Sequence, residues 1–222
     1  MTALQARAMP LPDAMRSFVA LVSDATAAHA HARALEQLDG ADAARNAADA
    51  VHHLTMLHGR HPGVVDHAAA RVTEPEARAA LFAIADSFAV ERDLLARLTV
   101  AAGPIPSTPG QAETEASVIA QHHAIEMLAQ SDRNGCAVGA ALAVVFDWYA
   151  VRRVLAAAAR RFGVDSMPSQ LADQPALTAI ALLACPTAAT ERAMLFGAQQ
   201  IAAQHRGLWD LLEARAKARI GY

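Results

Sequence analysis

Ionisable side chains occur on predicted helix faces that are otherwise apolar, and this pattern is the first sign of chemistry in the sequence. The stretch QHHAIEMLAQ contains His122, His123 and Glu126 among alanine, isoleucine, methionine and leucine residues. At about 100° per residue, spacings of four, three and four residues define one narrow helical stripe. The residues in this stripe are Glu115, Ile119, His122 and Glu126. Because His123 points toward the polar side, we expect one inward and one outward histidine.

Projection of the other predicted helices places more ionisable groups on apolar faces. These groups are His29, His58, Glu91, Asp147 and His205, and Glu191 lies about four turns before His205 on nearly the same line. Burying an unpaired charge costs several kcal/mol or shifts its pKa until the group is neutral, so such groups need partners. They can be partners of one another, or they can bind a metal ion, as glutamate and histidine do in the cores of helical bundles.

The metal hypothesis assigns its ligands to the inward groups. They are Glu91, Glu115, His122, Glu126 and His205. Neutral imidazole and carboxylate groups suit iron, manganese or zinc. The Glu-x-x-His pair of di-iron bundles is absent from the sequence. The alternative hypothesis is a structural network in which the buried polar groups bond only to one another.

A second group of histidines lies closer to the N-terminus. Its members are His52, His53, His58, His61 and His67. His58 and His61 are one helical turn apart, a spacing at which two imidazoles can chelate a metal. Because Gly59 and Pro62 indicate that the helix ends there, we interpret this group as a solvated helix end.

All the elements that must position these residues are predicted to be helices. The segments are Pro12 to Leu38, a second helix to His58, a short helical piece from Val64 to Arg71, a helix capped at Thr73 that runs to Ala102, a helix capped at Thr108 that runs to Ser131, Cys136 to Arg161, a short helix after the connection 162–175 that ends at Cys185, and Thr187 to Lys217. No alternation typical of strands occurs. The sequence therefore predicts an all-α bundle of about seven helices, in which the apolar helix from Cys136 is central.

Caps and breakers define most of these boundaries. The Thr73-Glu74-Pro75-Glu76 segment has the form of a capping box, in which a threonine hydroxyl and a glutamate three residues later satisfy free backbone N–H groups. GPIPSTPGQ, residues 103–111, is the clearest loop, and it ends with Thr108 as a predicted cap and Pro109 at the first helical position. Asp39-Gly40 provides the stop of the first helix.

Composition indicates one domain that spans residues 1–222. Hydrophobic residues make up 54% of the chain and aromatic residues only 5%, so the apolar content is mainly alanine, leucine and valine, which favours closely packed helices. At this length a chain can bury a core without disulfide or metal cross-links. An alanine-rich face would also suit homodimer formation.

Charge and cysteine content limit the classes of partner and compartment. A net charge of −3, from 19 basic and 22 acidic residues, gives no basic footprint for nucleic acid. Cys136 and Cys185 are too few for a disulfide framework, which fits a reducing cytoplasm. The most apolar segment, CAVGAALAVVF at 136–146, is shorter than the ~20 residues that span a bilayer and runs into Asp147, so we expect no membrane helix.

Two short segments of the C-terminal half resemble the TenA (thiaminase II) branch of the haem-oxygenase-like fold. ALAVVFDWYAVRR at 141–153 is similar to the helix that carries the family's nucleophilic cysteine and a tyrosine four residues later, and ERAMLF at 191–196 is similar to its last-helix glutamate motif. The resemblance implies that Tyr149 and Glu191 occupy family positions. Val145 replaces the cysteine, so the resemblance supports the fold and not a thiaminase reaction. A ferritin-like bundle is the alternative architecture.

Haem-oxygenase-like folds also include di-iron oxidases with inward ligands, which would suit the inward carboxylates and histidines. We therefore expect a metal-dependent oxidase or oxygenase-like protein, with Asp147, Tyr149 and Glu191 as further cofactor-binding residues. The alternative is a non-catalytic helical protein that binds a small molecule or dimerises, with the buried polar groups as a structural network. The sequence assigns neither a substrate nor a catalytic residue.

Overall fold

The computed structural model describes residues 13–37, 40 and 42–220, except for the side chain of Ile220. These residues form helices and no strand. The helices are α1 (Asp13–Ser23), α2 (Ala30–Gln37), α3 (Ala43–His58), α4 (Val64–Arg71), α5 (Pro75–Ala102), α6 (Gln111–Ala129), α7 (Cys136–Phe162), α8 (Gln174–Ala184) and α9 (Ala188–Ile220). The all-α prediction is confirmed, and the helices of the described ranges number nine rather than about seven.

The predicted first helix is wrong in its continuity, because the chain leaves the helix at Ser23 and re-enters it at Ala30. Thr26 lies in the break, where its backbone N–H donates to Asp147 Oδ1 at 3.1 Å. This N–H therefore bonds to a side chain of another helix instead of a backbone carbonyl one helical turn back. The predicted ends of this helix, Pro12 and Leu38, lie outside the described residues, as does Asp39.

Two predicted caps are also shifted along the chain. The cap of α5 is Glu74 rather than Thr73, and its carboxylate accepts from the backbone N–H groups of Glu76 and Ala77. Helix α6 begins only after Gly110, whose φ of 75° places it in the left-handed region. Thr108 does not cap α6, because its hydroxyl accepts hydrogen bonds from two arginines of α9. The remaining helix ends lie within about three residues of the predictions.

Helix α7 is the centre of the bundle, as predicted, and it contacts each of the other described helices. Its side chains are buried along nearly its whole length, and Trp148 is fully buried. No helix within residues 13–37 and 42–220 is both long and apolar enough to cross a membrane. The core therefore surrounds one helix, and the groups that interrupt its apolar surface lie deep inside the protein.

Helices α7 and α9 approach closely because glycines line their contact. A Cβ atom built on Gly139 would lie 2.0 Å from the Met194 carbonyl oxygen, and one on Gly197 would lie 2.2 Å from the carbonyl oxygen of Cys136. Both distances are far below van der Waals contact. The close α7–α9 contact brings the backbone of α9 near α7, and it fixes the register in which their polar side chains meet.

Candidate functional site

A carboxylate and an imidazole meet in the core between α7 and α9. His205 Nδ1 lies 2.6 Å from Asp147 Oδ2, and both side chains are about 2% exposed or less. Asp147 also accepts from the backbone N–H and the hydroxyl of Thr26. The Thr26 hydroxyl in turn accepts from Trp209 Nε1 at 2.8 Å. These bonds hold the carboxylate in place, and the carboxylate orients the His205 ring.

A second imidazole continues this chain of contacts. His58, the last residue of α3, places its Nε2 atom 2.9 Å from Nε2 of His205. Because Asp147 accepts from Nδ1–H of His205, a neutral His205 presents a lone pair at Nε2. Burial lowers the pKa of His58 well below its usual value, and the nearby rings of His205 and His122 lower it further. His58 is therefore neutral near pH 7, so Asp147, His205 and His58 form a buried Asp–His–His chain.

His122 and Glu126 of α6 lie next to this chain. His122 Nδ1 lies 2.9 Å from the Leu57 carbonyl oxygen, so it carries the proton and leaves a lone pair on Nε2. That Nε2 atom is buried, has no hydrogen-bond partner and lies 3.2 Å from Glu126 Oε1. In a neutral His122 two acceptor atoms would therefore face each other, an arrangement that a proton or a metal cation between them would relieve.

A small cavity separates the two groups. It has a volume of about 20 Å³, and His58, His67, His122 and Glu126 are among its lining residues. This is room for about one water molecule or one ion and not for an organic substrate. The imidazoles of His58 and His122 therefore line a space of ionic size, and the imidazole of His205 lies next to His58.

The structure brings together only part of the predicted ligand set. His122 and Glu126 line this cavity, and His205 contacts it through His58. The predicted directions of the two adjacent histidines are confirmed, since the side chains of His122 and His123 are 13% and 72% exposed. The predicted stripe is wrong at Ile119, which is 59% exposed. Glu115 is half-buried and accepts from Gln111 at 2.7 Å. The buried face of α6 instead follows Thr114, Val118, Ile125 and Ala129.

Glu91 is buried, but its carboxylate is already occupied. It accepts from Ser169 Oγ at 2.7 Å and from Trp148 Nε1 at 3.1 Å, and Arg152 Nε lies 3.1 Å away. The ring of Trp148 packs edge-on against His58, with 5.5 Å between the ring centroids. Glu91 therefore supports the site through Trp148 instead of facing the cavity.

Two of the three predicted cofactor-binding residues line the same cleft, and the third lies elsewhere. Asp147 and Tyr149 line an open cleft of about 380 Å³, together with Arg153 and Asp173. The Tyr149 hydroxyl lies 3.1 Å from the Leu171 carbonyl oxygen, so it fastens the segment between α7 and α8. Glu191 is half-buried in the first turn of α9 and does not line the cleft.

Sequence reasoning missed His58 and Thr26 as site residues. The interpretation of the N-terminal histidines as a solvated helix end is wrong for His53 and His58, which are 0% and 6% exposed, and it fits His61, whose side chain is 69% exposed. The available signal was that His58 continues the apolar face of α3. No sequence signal marks Thr26, because its role depends on the break between α1 and α2.

One other group in the described part of the chain could hold a metal, on the surface between the α1–α2 break and α9. One ligand atom each from His29, Asp210 and Glu213 lie within 4.8 Å of one another. His29 Nδ1 accepts from the backbone N–H of His31, so the proton of a neutral ring is on Nε2, which faces Asp210 at 3.1 Å. A metal bound at Nε2 would require that proton to move to Nδ1, against the His31 N–H. This group therefore fits an ion pair better than a metal site.

Sequence comparison places most of the described bundle in one family. Residues 21–220 match DUF6975, a family of unknown function, and the chain belongs to that family. The match includes every residue of the Asp–His–His chain and of the adjoining cavity. Neither the curated proteins nor the solved structures contain a match to the chain.

Proposed function

We propose that this DUF6975 protein binds a divalent first-row transition metal ion in its core and uses it in oxidase or oxygenase-like chemistry. The ligands are Nε2 of His58, Nε2 of His205, Nε2 of His122 and the carboxylate of Glu126. The observation that carries the proposal is the pair of buried imidazole nitrogens that face each other at 2.9 Å. Two nitrogen ligands at right angles on one ion, with bonds of about 2.05 Å, would also lie about 2.9 Å apart.

The outer hydrogen bonds support this assignment. Histidine ligands usually donate their second ring N–H to a carboxylate or a backbone carbonyl, which fixes the tautomer and the ring orientation. His205 has Asp147 in this position, and His122 has the Leu57 carbonyl. His205 and His122 therefore have their lone pairs on the nitrogens that the proposal assigns to the metal. His58 Nε2 donates its proton to the His205 lone pair, so metal binding would require the His58 proton to move to Nδ1.

Metal binding would also require a small rearrangement. Among the described residues, the surface group at His29 is the one set of three ligand atoms that all lie within 4.8 Å of one another. The His58–His205 pair therefore has no third ligand atom within this distance of both its nitrogens. His122 would have to approach the pair across the cavity. A cation there would interact with both His122 Nε2 and Glu126 Oε1, which are both acceptor atoms when the ring is neutral.

The cavity size supports chemistry on a small ligand. About 20 Å³ admits one water-sized molecule, so an ion with three imidazoles and one carboxylate would keep at most a small exogenous ligand in its coordination sphere. Imidazole and carboxylate suit iron, manganese and zinc, and of these iron and manganese can supply redox chemistry.

Metal analysis of protein purified without a histidine tag or chelator tests the proposal. We expect about one equivalent of iron, manganese or zinc per chain and a higher melting temperature when the metal is restored, because a ligand specific to the folded state stabilises it. His205→Gln should lose the metal, and Asp147→Asn should weaken binding about 10–100-fold. His29→Gln is the matched control and should keep it.

The opposite pattern would reject this site. Metal that persists in His205→Gln but disappears in His29→Gln would assign binding to the surface group. Absence of metal, with no thermal shift from any of the three ions, would favour the second candidate function.

The second candidate is a metal-free structural network in a protein that binds a small molecule. The observation that favours it is the saturation of Asp147, which already bonds to Thr26 and His205. The 380 Å³ cleft beside Asp147 and Tyr149 would then be the binding surface. In that case Asp147→Asn should lower the melting temperature by the same amount with and without added metal.

A further inference from the structure

A second buried polar cluster lies far from the proposed metal site. Its centre is Asp49 of α3, whose carboxylate receives Nε and Nη2 of Arg215 at 3.1 and 2.9 Å and Nη1 of Arg219. The side chains of all three residues are 5% exposed or less. Along α9, Arg219 is about 21 Å from His205 at 1.5 Å per residue. The cluster is therefore separate from the Asp–His–His chain.

The cluster carries more positive than negative charge. Two guanidinium groups share one carboxylate, and burial lowers the pKa of the adjacent His53, which keeps that ring neutral. Asp42 and Glu213 have cationic partners of their own, since Asp42 pairs with Arg45 and Glu213 with Lys217. Among the ion pairs of the described residues, Asp49 is the one carboxylate bound to Arg215 or Arg219, so the cluster has an excess of one positive charge.

Unused hydrogen-bond donors accompany this charge. Arg215 Nη1 and Arg219 Nε are buried and have no hydrogen-bond partner. Arg219 uses its Nη1 and Nη2 atoms for Asp49, Thr108 and Asn46. Because a buried charged donor without an acceptor is strongly unfavourable, an external acceptor at this position would stabilise the protein.

Arg219 forms one wall of an open surface cleft. The cleft has a volume of about 710 Å³, and apart from Arg45, Arg219 and Ser107 its lining is apolar, with Pro104, Pro106 and Phe162 among the residues. The loop that carries the prolines is fixed by Arg215, which donates to the Pro106 carbonyl oxygen at 3.1 Å. A preformed apolar cleft with one cationic wall suits a ligand that has an apolar body and one anionic group.

We infer that this cleft binds a small organic monocarboxylate, with the carboxylate on Arg219 and the apolar body against Phe162 and the proline-rich loop. A guanidinium group pairs well with a planar carboxylate, and a single excess positive charge matches a monoanion better than a dianion. This site is independent of the metal proposal, because the two share no residue.

Calorimetric titration of the purified chain tests the inference with benzoate, its neutral analogue benzamide and the dianion phenyl phosphate. We expect benzoate to bind, and both benzamide and phenyl phosphate to bind at least about tenfold more weakly. Arg219→Gln should weaken benzoate binding at least about tenfold, because it removes the charge-assisted bond. Arg192→Gln, an exposed change near the other end of α9, should bind like the unmodified protein.

A second variant separates binding from folding. Ala44→Phe should occupy the cleft and leaves the residues Asp49, Arg215 and Arg219 unchanged, so it should abolish benzoate binding while the circular dichroism spectrum stays unchanged. The inference is overturned if benzoate does not bind the unmodified protein, if benzamide or phenyl phosphate binds as tightly, or if folded Arg219→Gln or Ala44→Phe binds benzoate normally.

Discussion

His122 and His123 are chemically identical neighbours whose surroundings differ sharply. His122 packs against the end of α3 and bonds to the Leu57 carbonyl, whereas the His123 side chain is 72% exposed. The difference follows from helical geometry, because adjacent residues project about 100° apart around the axis. Substitutions at the two positions should therefore differ in effect.

His122→Ala should lower the free energy of unfolding by about 1–3 kcal/mol, because it leaves the buried Leu57 carbonyl without its donor. His123→Ala should stay within about 0.5 kcal/mol of the unmodified protein. Urea unfolding measures both values, and metal analysis of the same samples shows whether His122→Ala also loses bound metal. Equal stabilities and equal metal contents for the two variants would contradict the assigned orientation.

The buried ring of His53 predicts a pH dependence of stability. Its side chain is fully buried, and desolvation by burial lowers its pKa below 6.5 despite the hydrogen bond to the Asp49 carbonyl. The unfolded chain then takes up a proton near pH 6.5 that the folded chain does not, so the contribution is intact above pH 6.5 and is lost on acidification below it. The loss has a slope of up to about 1.4 kcal/mol per pH unit.

His53→Asn retains an N–H donor for the Asp49 carbonyl but cannot titrate in this range. Between pH 7.5 and 5.5, its free energy of unfolding should fall less than that of the unmodified protein, in buffers that contain EDTA. Between pH 7.5 and 8.5 the two proteins should change in parallel. Identical curves below pH 6.5 would show that His53 is not the titrating group.

At the scale of elements, the α7–α9 contact has little room for any added atom. The atoms nearest to a Cβ on Gly139 or Gly197 belong to the backbone of the opposite helix, which cannot move without separating the two helices. Asp147 and His205 lie on these same helices, so their 2.6 Å contact depends on this close approach. The break between α1 and α2 has a comparable role, since it delivers Thr26 to Asp147.

Gly139→Ala and Gly197→Ala should each destabilise the protein by about 3 kcal/mol or more, because overpacking against backbone is not relieved by rotamer changes. Gly207→Ala in α9 is the control. Its Cβ would meet only the end of the Gln121 side chain, and alanine has the higher helix propensity, so its stability should be unchanged or higher. Chemical denaturation compares the three, and a similar loss for Gly207→Ala would contradict the packing argument.

Two buried polar centres of the described residues are nine residues apart along α3 and ten residues apart along α9. His58 and His205 belong to one centre, and Asp49 and Arg215 to the other. The side chains of Asp147, His205, Asp49 and Arg215 are 2% exposed or less, so contacts with other protein groups, and not with bulk water, determine their hydrogen bonding. Access of a reagent to buried side chains that line none of the described clefts should therefore depend on opening of the bundle.

The cysteines can report this opening. Cys136 and Cys185 are free and at most 2% exposed, and burial together with the nearby Glu191 raises the pKa of Cys185 to about 11. Both thiols should react with Ellman's reagent at pH 8 at least about 100-fold more slowly in the native protein than in guanidinium, where both react at once. Fast reaction of either thiol in the native protein would show that the bundle opens locally around it.

The sequence alone determined the helical fold, the loop at 103–111 and the inward and outward directions of His122 and His123, because each depends on periodicity and turn chemistry within one segment. It also placed Asp147 and His205 on apolar faces. Only the tertiary structure decided which inward groups meet: His58 and His205 are 147 residues apart, and Thr26 and Asp147 are 121 apart. Glu91 points inward as predicted, yet Trp148 and Ser169 occupy its carboxylate. Helical projection gives the direction in which a side chain points from the axis of its own helix. The distance between side chains on different helices is set by the packing of α3, α6, α7 and α9, and no periodicity within one helix encodes that distance.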